Sequence, residues 1–417
     1  MSLRTISLTA MLLAGSTLGA WAQETQTVTF MALDVTNFRG ALEEFIAEFE
    51  AANPDVDIVA NFTPELFNQF LPLLQADNLS DITFISSAAI VPFMASGRLA
   101  PLPADFAEEV RSVVYPAAVG PVSRGGEMFA VPYNYYPNSG IIMYNEALWE
   151  EAGLDPATAT TWDEFMALAQ GVTERDASGA MTQAGFSAQQ EPHTMFLAWL
   201  LQLGGKPFNE DGSAAFNSDA GRAALQLYAD IFQKWQVDDY EFNSTITAFN
   251  QGQAAATMVG PWYESILAKD FPSIQVGHVV QPPLPGVDAG QPNDWALLEV
   301  WSHVVSAEGA EKEGTQRFLE FLLRPEISAR WSAFSGEMPA VIAASSFPEV
   351  TDTTYIKPYI AALEYGVSEN VTSYLSSDVN TAIGTMLESV ARGQASVDDA
   401  LATAEAEVNR LTARMVK

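Results

Sequence analysis

Between Thr27 and Ala60 the chain reads TVTFMALDVTNFRGALEEFIAEFEAANPDVDIVA. The opening run, Thr27 to Leu33, is β-branched and apolar and predicts a strand. A polar loop from Asp34 to Gly40 follows. Leu42, Phe45, Ile46 and Phe49 then recur at the spacing of one helix face, so the next element is a helix packed on a sheet. Asn53-Pro54 ends it, because a residue before proline is pushed out of the helical region, and Asp57 to Ala60 reads as the next strand. A second cycle repeats the order: Phe67 to Leu74 is helical in spacing despite Pro72, and Asp81 to Ile85 is a strand opening onto Ser86 and Ser87. Such alternation implies an α/β architecture with a parallel sheet, in which ligands bind beyond the carboxyl ends of the strands.

Further on, Phe129 to Pro132 and Gly140 to Tyr144 are short strands on either side of Tyr133 to Asn138, a Pro-bounded aromatic turn that suggests a crossing between lobes. Thr161-Trp-Asp-Glu164 is a capping box. Asn217-Ser218 starts a helix with Leu225, Tyr228, Ile231 and Phe232 on one face, and Gly260-Pro261 starts another. Residues Asn380 to Leu411 are helical in composition and interrupted at Gly393.

A chain of 417 residues points to two or three domains, and 48% hydrophobic against 17% charged residues is the composition of a packed globular protein. Fifty-two acidic against 19 basic residues give a net charge of −33, a field that repels phosphate backbones and excludes nucleic acid as a partner. With no cysteine, disulfides, thiolate zinc sites and thiol catalysis are excluded, and three histidines, His193, His278 and His303, leave little for a metal. No cofactor and no metal are expected. Neither a dinucleotide nor a phosphate-loop fingerprint occurs, nor a zincin or nucleophile-elbow motif, so enzymatic activity is not expected either. The first 22 residues read as a signal peptide: Arg4 gives the positive start, Ile6 to Leu18 the apolar run, and Ala20-Trp21-Ala22 the cleavage site. The product expected after cleavage at Ala22 is exported to the periplasm.

Seven landmarks run in order along the rest of the chain: FEAANPDVDI (Phe49 to Ile58), GRLAPL (Gly97 to Leu102), FAVPY (Phe129 to Tyr133), MYNEALWEEAGLD (Met143 to Asp155), TWDEF (Thr161 to Phe165), FNQGQAAATMVGPW (Phe249 to Trp262) and FLEFLLRPE (Phe318 to Glu326). In this order they resemble the solute-binding proteins of ABC importers, specifically the extracellular carbohydrate-binding family that includes maltose-binding proteins. The resemblance implies a two-lobed periplasmic binding protein fold of type II, with a hinge of two or three crossing strands and a cleft between the lobes. It implies crossings near Tyr136 to Ser139, Leu297 to Glu299 and Glu326 to Arg330. On that division residues 23–137 with 298–327 form the N-terminal lobe, and 138–297 with 328–417 the C-terminal lobe. The partners implied are a sugar ligand and the permease subunits of an ABC transporter, met by a monomer. Two departures stand out: Leu298-Glu-Val-Trp301 replaces the Gly-rich approach many relatives carry, and SGEMPAV (Ser335 to Val341) lacks the basic residue often found after its proline, which argues against an anionic ligand.

A sugar presents C–H faces and a rim of hydroxyls, so its pocket needs flat aromatic platforms beside groups that both donate and accept hydrogen bonds. Trp262, on the first turn of its helix, and Trp301, beside the second crossing, are platform candidates whose competing role is in the core. Tyr136 and Asn134 belong to the first crossing. Asp34, Thr36 and Asn37 follow the first strand, and Ser86 and Ser87 the third, where helix capping competes with binding. Glu299 suits a pair of hydroxyls, and His193 the edge of the second lobe. The lone His303 is expected to pack within a strand. These residues suit capture of a neutral mono- or oligosaccharide. Aromatics with Asp and Glu also suit a polyamine or another cationic or zwitterionic solute, and a secreted carbohydrate-active enzyme is the remaining class.

Overall fold

Val28, Phe30 and Ala32 on one face of the strand Gln26–Leu33 and Met31 on the other are buried, as expected of a strand covered on both faces. The computed structural model describes residues 25–94, 99–209, 211–242, 245–287, 297–353, 355–362 and 376–413, and the leader assigned to residues 1–22 lies outside them. Gln26–Leu33 pairs in parallel with Val56–Thr63 on one side and Ile82–Ser86 on the other. The sheet continues with Leu298–Val305, Ala130–Pro137 and Met338–Pro339, all antiparallel to their neighbours. It is therefore mixed. The parallel expectation holds for the three N-terminal strands, which are joined through helices; Leu298–Val305 instead returns directly from the other lobe. Among the described residues no helix is long and apolar enough to cross a membrane.

Tyr133 to Asn138 is not a turn. Ala130–Pro137 is one strand of eight buried residues, paired on both edges, and its three tyrosines suit a pleated, covered surface. Pro132 is tolerated because it lies at a bulge, where the register shifts between Trp301 and Ser302. Tyr136 belongs to the core of the first lobe and Ile142 to that of the second; Leu297 belongs to the second and Leu298 to the first. The two segments run side by side here, with the Asn138 N–H donating to the Leu297 carbonyl at 2.8 Å.

The third crossing differs from the expected one at Glu326 to Arg330. The helix Pro325–Ser335 stays on the first lobe, where Ile327 and Trp331 join its core and Arg330 reaches Glu48 at 2.7 Å, and Glu44, on the helix Thr36–Ala52. Met338, Ala344, Val350 and Ile356 follow it into the same core; Tyr359 then packs on Ile141 and donates to the Val259 carbonyl at 3.0 Å, and from Val379 onward the chain joins the core of the second lobe. The second lobe has a small antiparallel sheet, Ala256–Thr257, Ile141–Asn145 and Val276–Val280. Around it pack the helices Pro192–Gln202, Asp219–Gln233, Ser377–Ala391 and Val397–Thr412, over Trp149, Trp162, Trp199 and Leu387.

Candidate functional site

Sheet register alone gathers most of the first lobe's polar candidates on one face. Glu299 lies opposite Tyr136, and the pairing Met338↔Tyr135 carried one residue on sets Glu337 level with Tyr136 on the other side. The neighbouring row reads Ser86, Trp301, Asn134 and Pro339. Paired residues in a sheet project to the same side, and so do residues two apart on one strand. Glu299, Tyr136, Glu337, Asn134 and Ser86 therefore share a surface beside the crossing strands.

Hydrogen bonds knit that surface together. The Ser86 hydroxyl donates to Glu299 while accepting from the Ala88 N–H at 3.2 Å, so it both caps the helix Ser87–Met94 and holds the carboxylate. The fully buried Asn134 amide donates to Glu337, whose own N–H donates to the Ser335 hydroxyl at 3.1 Å. From the second lobe, Glu191 precedes the helix Pro192–Gln202 and accepts from the Asn138 side-chain amide. The side-chain oxygens of Asn134 and Asn138 and the indole N–H of Trp301 are buried without a partner.

These carboxyls hold their protons unusually well. Burial pushes Glu299 up to about 7 against the opposing Ser86 hydrogen bond. Burial and then the charge of Glu299 push Glu191 up to about 7, and the same two causes raise Glu337 well above the carboxylate range. Burial first, then all three carboxylates, raises the Tyr136 hydroxyl. His193 goes the other way, lowered by burial to about 4, so it is a neutral imidazole at pH 7.

A small cavity of about 40 Å³ lies between the lobes, bounded by Ser87 and Glu299 on one side and Asn138, His193 and Asn380 on the other. Ligand pockets commonly exceed ~300 Å³, so a sugar enters only if the lobes part. Larger hollows, about 530 and 580 Å³, are open grooves on the second lobe, one beside Met386 and one beside Tyr240, away from the converging polar groups.

Trp262 is half-buried and touches the cores of both lobes. Gly260 explains how Tyr136 comes beside it: a Cβ there would lie 2.7 Å from Cε2 of Tyr136 and 2.8 Å from Cδ1 of Trp262. Trp301 is 8% exposed and wedged among Phe38, Phe67 and Phe84, with ring centroids 5.4 to 6.0 Å apart, which is the packing of a core residue. Asp34 is level with Ser86 by register, but its exposed carboxylate pairs with Arg39 at 3.4 Å. Thr36 and Asn37 open the helix Thr36–Ala52, and their side chains fall outside the described set. His303 is buried between Phe30, Phe84 and Tyr133, within the core of the first lobe. The sequence nominates neither Glu191, Asn138 nor Glu337. A glutamate before a helix-opening proline, and one between a helix-ending glycine and a two-residue strand, carry no local mark of sharing a cleft.

A mixed-sheet lobe and a second α/β lobe, joined by side-by-side crossing segments with polar groups of both turned to the gap, define a two-lobed binding protein. Residues 34–329 match the model of the bacterial extracellular solute-binding proteins, and the chain belongs to that family. It is similar to the arabinooligosaccharide-binding protein of Halalkalibacterium halodurans, 23% identical over 63% of this chain and 59% of the relative. It is similar also to the sn-glycerol-3-phosphate-binding periplasmic protein UgpB of Yersinia pestis, 27% identical over 65% of this chain and 62% of the relative. The chain thus spans about three fifths of the length of these curated relatives. The solved cyclic alpha-maltosyl-1,6-maltose binding protein of Arthrobacter globiformis shares the fold, with a TM-score of 0.71 and 24% identity over 93% of this chain and 98% of that one. Family and relatives are binding proteins rather than enzymes.

Proposed function

We propose that this protein captures a mono- or oligosaccharide between its lobes and delivers it, closed, to the permease of an ABC importer, without chemical turnover. The observation that carries the reading is the convergence of Tyr136 and Trp262 at Gly260, beside hydrogen-bonding groups from both lobes. Aromatic faces cover C–H surfaces, and carboxyl, amide and hydroxyl groups take the hydroxyl rim. Oligosaccharide-binding relatives support a sugar over a polyamine. The glycerophosphate of the UgpB relatives is disfavoured by a cleft whose charged groups are carboxyls. The ligand-binding set on this reading is Ser86, Ser87, Asn134, Tyr136, His193, Trp262 and Glu299, joined by Asn138, Glu191 and Glu337, with Asp34, Thr36 and Asn37 as further candidates after the first strand and Trp301 packed beside Ser86 and Asn134 on the same face. Export to the periplasm after cleavage at Ala22, and action as a monomer, belong to the same proposal.

Closure is a population shift: a ligand touching both lobes favours the closed form by its differential affinity for it. A thermal-shift screen over mono- and oligosaccharides tests the reading, since ligand at 100 times Kd stabilises the native state by roughly 2.7 kcal/mol. No sugar raising the melting temperature, or sugar products accumulating on incubation, would defeat it.

A further inference from the structure

We propose that the sugar taken by this cleft carries a basic nitrogen, protonated at neutral pH, whose ammonium group sits among Glu191, Glu299 and Glu337 against Tyr136. The inference rests on the sugar-binding reading of the same site and goes beyond it by naming the class of sugar.

The first support is an imbalance of donors and acceptors. Ser86, Asn138 and Asn134 each give a donor to one of the three carboxyls. Because both amides have turned their N–H groups to carboxylates, their oxygens are left over, and both lack a partner. Asn134 is fully buried, and its amide nitrogen is already committed to Glu337, so its orphan oxygen belongs to the same cluster. With the carboxyls ionised, what remains is mostly acceptors: two amide oxygens and the second oxygens of Glu191 and Glu299, against the indole N–H groups of Trp301 and Trp331, the latter directed at Glu337. A hydroxyl brings one donor and its own acceptors, whereas an ammonium brings three donors and no acceptor.

Charge supplies the second support. Among the described residues, no lysine or arginine offsets Glu191 or Glu299, and the charge that acts on Glu191 and on Glu337 is that of Glu299. The other titratable groups at this surface are Tyr136 and His193. Bringing uncompensated charges together in a desolvated cleft is costly unless a cation joins them. A metal ion is a poor candidate, since no group of three His, Asp or Glu side chains is arranged to hold one among the described residues. The tyrosine face adds a cation–π surface, and a chain carrying −33 draws cations toward itself. Because Glu191 comes from the second lobe and the other two from the first, one ammonium would tie both lobes together and favour closure.

The test is calorimetric titration of the full mature protein with glucosamine oligomers, their N-acetylated counterparts, maltooligosaccharides and spermidine, at pH 5.5 and pH 7. We expect the free amines to bind at least tenfold tighter than the acetylated forms. Their affinity should rise from pH 5.5 to pH 7, where the carboxyls ionise while the amine stays protonated, and binding should release protons, read as heats that differ between buffers of unequal ionisation enthalpy. Glu191→Gln and Glu299→Gln should each abolish the preference for the amine while leaving the melting temperature within a few degrees. Equal or better binding of the acetylated or neutral sugars overturns the inference and leaves the sugar reading standing. Binding of spermidine with no sugar bound defeats both. An amine preference unchanged in both variants, or no binding of any amino sugar, also overturns the inference.

Discussion

Tyr136 and the two tryptophans near it separate binding from packing. Trp262 is half-buried at the junction of the lobes, so Trp262→Ala should cost about 2 kcal/mol of sugar affinity, as loss of an aromatic anchor commonly does, with little change in ligand-free melting temperature. Trp301 is locked among three phenylalanines, and Trp301→Ala should cost about 3–5 kcal/mol of folding stability. Calorimetry and thermal melts on both variants check the pair, and a Trp262 variant that binds like the parent would remove that residue from the site. Gly260→Ala is a sharper probe. Its methyl would overlap the Tyr136 ring at 2.7 Å, and crowding of this kind typically costs about 1–3 kcal/mol. Unlike either tryptophan variant, it should lower stability and affinity together; an unchanged melting temperature would show that Tyr136 is free to move aside.

Elements differ in how far they can be read from sequence. The strand at Thr27 to Leu33 and the helix after it are legible because their signals lie within a few residues of one another, and the helix's four marked apolar residues are all buried. The caps at Thr161 and Ser218 are legible for the same reason, their hydroxyls meeting the N–H of Glu164 at 3.3 Å and of Gly221 at 3.2 Å. By contrast, Tyr133 to Asn138 looks like a turn because proline and asparagine dominate its local signal, and Tyr133 to Pro137 becomes strand through partners 165 and 203 residues downstream, namely Val300↔Tyr135 and Met338↔Tyr135. Register across such distances has no local signature, so the row Glu299, Tyr136, Glu337 is half legible: two members are nominated and the third is not. The helix Pro325–Ser335 poses the same problem, since the pairing of Arg330 with Glu44 and Glu48 and its stacking 4.9 Å above Phe45 decide its lobe. Arg330→Ala should therefore lower stability by about 1–2 kcal/mol through lost packing and pairing, and leave sugar affinity unchanged. Denaturant melts with parallel titrations measure both, and a stable variant with weakened binding would contradict this assignment.

For the whole molecule, the buried carboxyls couple lobe closure to pH. Glu191 stands on one lobe and Glu299 and Glu337 on the other, so opening separates like charges and admits water, and both changes return the groups toward ordinary carboxylate values. The closed form therefore binds protons more tightly than the open form. A group whose value is raised in the closed form contributes stability that is fully present below its ordinary value and lost as pH rises through the raised one, here about 7 for Glu191 and Glu299. His193 works in the opposite sense. Lowered to about 4, it favours closure above its ordinary value of 6.5 and opposes it as pH falls below that, partly cancelling the carboxyls in the acid range. Tyr136, raised first by burial and then by the same carboxylates, stays protonated throughout. The clean window is thus pH 6.5 to 8, where each of the two glutamates should cost the closed form up to about 1 kcal/mol. Without ligand, the radius of gyration from small-angle scattering should grow across this window, and Glu191→Gln should flatten the change. Saturating sugar should compact the protein at every pH, because a ligand bridging the lobes outweighs a bias of this size. A radius that is constant from pH 6.5 to 8 in the ligand-free protein, or that shrinks, would mean the carboxyls do not face one another across the moving boundary.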